Sequence, residues 1–399
     1  MGGIRLRHWH SSAAARRAPH SRTRRPSGAT LTHAPAQSFA YGPGDTVKGT
    51  YLIVSGNVSI QGSTGGVASS VNVSGRGYAG GSGPGAGQPS TNGGIGGTGG
   101  ASAGDGTSSP PFLGGFGYGS ITAPDDHGSG GGAYVGNPGG AGGGCVRLDV
   151  GGTLSVDGSI LANGTVGVSS SGAGAGGSIF INATQLAGVG SLSASGVSNP
   201  WGGSGGGRIA VFAGTSTFTG TMAAPGGTTS NGAPLKAGAG TVCYKPATAT
   251  PASFVLDNAA GVVGAPTKIN VNLNGLRLSV LNGVNAVCTV PQTLLSTIQL
   301  SGNGRLQITG EGNTIAGDLS LAGTSTLAGT APVITGLYVA GAMSIATGST
   351  VTVAGLGSAA GPGAGQPSTN GGIGGTGGAY AGTGASSPPF LGGTPYGNI

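Results

Sequence analysis

The sequence predicts an all-β chain, built mainly as a right-handed parallel β-helix with long glycine-rich loops. Three observations lead there. Strand-like segments with alternating apolar residues return at near-constant spacing: Val146, Leu148 and Val150, then Ile179, Ile181 and Ala183, then Ile209, Val211 and Ala213, 33 and then 30 residues apart. Each is entered through glycines, as GGAGGG, GAGAGG and GGSGGG. Helical periodicity is missing, and the helix formers Glu, Lys and Gln are scarce. A unit that recurs about every 30 residues marks a solenoid, whose coils bury their apolar faces only by stacking on one another. Antiparallel β-sandwich domains are the alternative, because Asn-Gly turns stand at Asn274, Asn282 and Asn303. Sandwiches leave the return of the glycine–strand unit unexplained.

Composition supports an ordered chain with a thin core. Glycine is 93 of 399 residues and charged residues are 6%, against usual shares of about 7% and ~25%. Disordered chains are highly charged and poor in apolar residues, and this one is neither. The net charge of +7 belongs to the start of the chain, where Arg5, Arg7, Arg16, Arg17, Arg22, Arg24 and Arg25 meet no acid. Of the 16 Lys and Arg this leaves nine beyond residue 25, against nine Asp and Glu. The body is therefore neutral and carries no electrostatic footprint for nucleic acid.

In chain order, residues 1–40 read as a disordered basic tail, with three readings open: a transit-type segment, a nucleic-acid arm or, the favoured one, upstream reading frame attached to a truncated protein. No apolar run reaches the ~18 residues of a membrane span, and no apolar signal-peptide core follows Met1. Residues 41–260 read as a glycine-rich β-helix repeat with a long insert at about 65–144. The GGI-GGT-GGA rhythm in that insert is too short for collagen. It reads as a loop excursion of unusually free backbone, pinned by an apolar anchor at Pro110-Pro111-Phe112-Leu113. Residues 261–355 read as short-strand solenoid coils. Residues 356–399 read as the truncated start of a second repeat, because GPGAGQPSTNGGIGGTGGA at Gly83–Ala101 returns letter for letter at Gly361–Ala379, 278 residues on. SSPPFLGG at Ser108–Gly115 returns at Ser386–Gly393, and YLIVSGNVSIQGS at Tyr51–Ser63 has an echo at Leu337–Ser349. The final ~40 residues are expected to be poorly ordered, as a coil without a neighbour exposes its apolar face.

Chemistry-bearing motifs are few. Chance GxGxxG matches lack the strand–helix context of dinucleotide binding, and there is no GxxxxGK[ST], HExxH or CxxC. Cys145, Cys243 and Cys288 lie in apolar runs with no ligand spacing, and read as small buried residues rather than a bridge. No catalytic, cofactor or metal residue is assigned. The weak candidates are Asp125, Asp126 and His127, the densest polar cluster of the body, which also fits a plain turn. The nine acids are spread out; Asp149 and Asp157 fit neighbouring strands with Arg147, and read as a solvated face rather than an acid–base pair. Thr215, Thr217, Thr219 and Thr221 share one face of a strand, without a repeat in a neighbouring coil. Asn57, Asn72, Asn163 and Asn182 head N-x-[ST] sequons.

The run YGSITAPDDHGSGGG, GGAGGGCVRLDVGGTLSVDGSILANG, GAGAGGSIFINATQLAGVGSLSASG and GGSGGGRIAVFAG, covering roughly residues 115–215, resembles the glycine-rich repeat regions of very large extracellular proteins, mainly bacterial. That resemblance implies parallel β-helix, adhesin-like architecture, an extracellular or cell-surface location and a non-enzymatic role. The expected function is thus structural or adhesive, with glycans, surfaces or copies of itself as partners. The alternative is a carbohydrate-binding or polysaccharide-degrading β-helix protein.

Overall fold

Alternation sets the strands. In Cys145–Val156 the side chains of Val146, Leu148, Val150, Leu154 and Val156 are buried, while Arg147 and Asp149 between them stay half-buried. Successive side chains on a strand point to opposite faces, so one face of this strand is core. In the computed structural model the described residues are 4–6, 28–36, 49–63, 67–91, 96–107, 113–231, 235–247, 252–259, 262–329 and 336–352. Among them there is no helix.

The strands form a 12-stranded sheet, two five-stranded sheets and a two-stranded one. Pairing is parallel with two exceptions, Ile4–Leu6 against Thr50–Val54 and Thr241–Pro246 against Ser253–Asp257. Sandwich domains are antiparallel, so the pairing speaks for stacked coils. Strands 30 or so residues apart in sequence lie side by side: Val146 beside Ile179, Ile179 beside Ile209, Ile209 beside Val242. After each long strand the chain turns into a three-residue strand of a second sheet, where Val71, Ile160 and Leu192 stand in one row.

The antiparallel junction divides the molecule. Up to Thr241–Pro246 the buried side chains are those of Val146, Leu148, Ile179, Ile181, Ile209 and Val211, closed by Ile160 and Leu192. Beyond it a second core gathers Phe254, Leu256, Leu278, Val280, Ile298 and Leu300, closed by Ile269, Ala286 and Leu306. At the junction Val242 faces Val255 on the side of the first core, and Cys243 faces Phe254 on the side of the second. One sheet thus runs through both halves, while strand direction and buried face reverse together. Burying each Leu, Ile or Phe stabilises the stack by about 1.5–3 kcal/mol.

The glycine-rich insert is the main correction to the sequence reading. It is a packed layer rather than a loop excursion. Residues 96–107 are buried throughout. Gly97 and Gly100 donate to the carbonyls of Ser170 and Ala173 at 2.9 and 3.0 Å, while Thr98 and Ala101 donate to those of Gln88 and Gly85 at 3.2 and 2.8 Å. Gly128 and Gly131 donate to Gly143 and Gly140, and Ser129 and Gly132 to Ala101 and Thr98. Gly172 and Ala175 donate to Gly132 and Ser129, Ala173 and Gly176 to Gly202 and Gly205, and Gly174 and Gly177 to Thr165 and Ala162. Each segment therefore bonds several neighbours in rotation and returns to the same one every third residue, the period of a polyproline II helix. Glycine is required by close approach. A Cβ on Gly99 would lie 1.8 Å from the Gly203 carbonyl oxygen, and one on Gly131 2.2 Å from that of Gly172. The layer satisfies its buried backbone groups mutually, as burial demands.

Two further corrections follow. Of the apolar anchor, residues 110–112 lie outside the described residues and Leu113 is 50% exposed. Ile121 is the residue that pins the layer, buried in one cluster with Phe180 and Ala210 on the large sheet. The tail reading fails for residues 28–36: Thr30–Leu31 pairs in parallel with the strand Ser70–Asn72, and the Ala36 amide donates to the Arg76 carbonyl at 2.8 Å. Ile4–Leu6 likewise pairs with Thr50–Val54. The other residues of 1–40, and all of 356–399 with the expectation placed on them, lie outside the described residues.

Candidate functional site

The glycine layer meets the large sheet at a polar crossing that contains the candidates Asp125, Asp126 and His127. Arg208 opens the strand Arg208–Ser216, and its guanidinium donates from Nε and Nη2 to the Tyr118 carbonyl at 3.1 and 2.6 Å. The Tyr118 hydroxyl donates to the His127 carbonyl and accepts from Ser129 Oγ at 2.8 Å. Ser129 Oγ in turn accepts the Gly85 amide at 2.9 Å, and Ser178 Oγ donates to the Asp126 carbonyl at 2.5 Å. Burial pulls Arg208 down to about 10, against the charges of Tyr118 and Asp126, and pushes the Tyr118 hydroxyl up. The His127 ring is 2% exposed, packed 5.6 Å from the His33 ring and 5.9 Å from that of Tyr78. What converges here is largely backbone carbonyls and clamping donors. The arrangement holds the layer to the sheet and offers no open acid–base pair. Among the described residues no group of three or more His, Cys, Asp and Glu is placed to hold a metal ion.

Asp149 and Asp157 are not brought together as a dyad. Asp157 follows the strand end and caps a corner, accepting Ser155 Oγ at 3.0 Å and the Val189 amide at 3.2 Å. Asp149 stands on the outer face of the large sheet, its Oδ2 3.1 Å from Arg147 Nε. Cys145, Cys243 and Cys288 are all buried. Thr215, Thr217, Thr219 and Thr221 are all exposed, and Thr215 stands beside Gln185 in the next strand.

On that face, partly covered by the glycine layer, aromatic and charged groups are assembled in order. Register places Tyr51, Arg147 and Phe180 in one row across three strands, and Ile53, Asp149, Asn182, Phe212 and Lys245 in the next row. Neighbouring members of a row are about 4.8 Å apart, the spacing of paired strands. The Arg147 guanidinium lies 4.5 Å from the Phe180 ring centroid and 5.1 Å from that of Tyr51. The Phe180 and Phe212 rings are 5.7 Å apart, and Lys245 Nζ is 5.9 Å over Phe212. A hydrogen bond to Asp149 raises the Tyr51 hydroxyl above its ordinary range, with desolvation adding to it. Ile53 is 42% exposed and Asn182 and Lys245 are exposed. Phe180 is buried, so what the face leaves accessible is the half-buried Tyr51 and Phe212 rings with the exposed Ile53, Asn182 and Lys245 beside them. Sequence reasoning found Arg147 and Asp149 but missed Tyr51, Phe180, Phe212 and Lys245. Their signal was the outward position in each of the aligned strands.

No protein-family model matches this chain, and no curated protein and no solved structure is similar to it.

Proposed function

We propose that this chain is a non-catalytic structural unit of a large secreted or cell-surface repeat protein, and that its outer face holds saccharide. The coils wind as a right-handed parallel β-helix, the hand that parallel crossover connections take in about 98% of cases. The observation that carries the reading is the Arg147 guanidinium held between the Tyr51 and Phe180 rings, with Asp149 fixed beside it. A sugar ring has an apolar C–H face and a rim of hydroxyls. Tyr51 and Phe212 match the first, while Arg147, Asp149 and Asn182 match the second. The glycine layer packs on the same face beside them, with Ile121 against Phe180, and side chains already held by such packing leave little ordering cost for binding.

The experiment is retention on a panel of immobilised neutral and acidic polysaccharides, with product release assayed in parallel. The full chain should be retained on at least one polysaccharide. Tyr51→Ala with Phe212→Ala should weaken that retention roughly tenfold or more, as loss of stacking contacts does. No product should form. Retention that survives the double substitution contradicts the saccharide face, and turnover lost in Asp149→Asn contradicts the non-catalytic reading.

A further inference from the structure

The coil 337–352 has a twin within the chain. Leu337-Tyr338-Val339-Ala340-Gly341-Ala342-Met343-Ser344-Ile345 matches Leu52-Ile53-Val54-Ser55-Gly56-Asn57-Val58-Ser59-Ile60 at its Leu, Val, Gly, Ser and Ile. Thr350-Val351-Thr352-Val353 matches Ser70-Val71-Asn72-Val73 at both valines. Both stretches form three strands, and the last two correspond: Met343–Ile345 and Val58–Ile60 lie in the large sheet, Thr350–Thr352 and Ser70–Asn72 each in a five-stranded sheet. The first differs, since Leu337–Val339 pairs with Asn313–Ile315 in the two-stranded sheet while Thr50–Val54 stays in the large one.

Their burial differs. Ile60 and Val71 are each 6% exposed, whereas Ile345 is 47% and Val351 48% exposed. The cause is the next strand. In the first copy Cys145–Val156 lies along Thr50–Val54 and Val58–Ile60, and Ser159–Leu161 lies along Ser70–Asn72. In the second copy Met343, Ile345 and Val351 extend the core columns of Leu319, Leu321 and Leu327. Beyond them the described residues supply no further strand. The result is a row of core-directed apolar side chains beside a parallel strand edge, which is a template for pairing.

We propose that this edge is the docking site for a second copy of the 278-residue unit, engaged through that copy's Cys145–Leu161 segment. The fit is already displayed once in the molecule. Val58–Ile60 and Ser70–Asn72 take that segment in parallel register, with Leu154 beside Val58 and Ile160 beside Val71. The large sheet would then pass from unit to unit without a break. The inference rests on packing and stands whether or not the Tyr51 face holds saccharide.

The test extends the full chain past Ile399 with residues 122–329, since Ile399 aligns with Ile121 in the repeat. Hydrogen exchange of the amides of residues 343–352 is compared with and without the extension. Exchange in the extended chain should be slower by ~100-fold or more, as expected for a strand moved from an edge into a sheet. Leu154→Asp and Ile160→Asp in the added copy alone should restore fast exchange. Equal exchange in both chains, or slow exchange that survives those two substitutions, overturns the proposal. Should the added residues exchange like an unfolded chain, a peptide of residues 145–161 added in trans decides: saturable slowing of the same amides supports the proposal, and its absence overturns it.

Discussion

At Gly99 a single methyl group decides between packing and collision. Its Cβ would fall 1.8 Å from the Gly203 oxygen, which is backbone and cannot step aside. Gly56 has nothing within 4 Å of the same position. Gly99→Ala should therefore cost about 3 kcal/mol or more, in the range of severe overpacking. Gly56→Ala should be neutral or stabilise by ~0.4–1 kcal/mol through the unfolded chain. Denaturant unfolding of the two variants checks both signs. The buried thiols give a second residue-scale test. Burial pushes Cys243 up to about 11 and Cys288 up to about 12. Unfolded thiols ionise near ~8.5, so between these values the folded state holds protons that the unfolded state has lost. The contribution is intact below ~8.5 and is lost as pH rises toward 11 and 12. Stability should fall above pH ~9 by up to about 1.4 kcal/mol per pH unit for each thiol. Cys243→Ser with Cys288→Ser should flatten that alkaline slope, and a slope left unchanged would reject the cause.

Among the elements, the strand Arg208–Ser216 ties the two layers together through its first residue. Arg208→Met removes both donors from the Tyr118 carbonyl and should cost about 2–4 kcal/mol, the loss expected when a buried charged hydrogen bond is broken. It should also speed exchange in residues 115–127 while leaving 277–301 unchanged, which fragment-resolved hydrogen exchange reads directly. Much of the strand scaffold was legible in the sequence. Val146, Leu148 and Val150 alternate with polar residues, and the 33- and 30-residue returns of that pattern are the coils that pair in register. The reversal was not legible. Val242, Cys243, Phe254 and Val255 are apolar on both faces of their strands, so no pattern marks where the core changes sides. The glycine layer was hidden for a different reason. Its rhythm of three was visible in GGI-GGT-GGA, but glycine carries no side chain whose character would reveal burial.

At the scale of the whole molecule, distance in sequence becomes adjacency in space. Tyr51 and Lys245 are separated by most of the first period, and register alone sets them in neighbouring rows of one face. The conspicuous Asp125-Asp126-His127 cluster instead packs at a structural crossing. A sequence reader sees the dense cluster and misses the dispersed row, because composition along the chain says nothing of which outward positions align. The account as a whole holds that glycine-rich text here builds a scaffold. The most direct test is hydrogen exchange of the amides of residues 97–107 and 128–132 against those of the strand residues 146–150. The account predicts comparable opening free energies for all three, since the glycine amides are buried and bonded to backbone carbonyls. Exchange of the glycine segments at the rate of an unprotected loop, with 146–150 still protected, would contradict it.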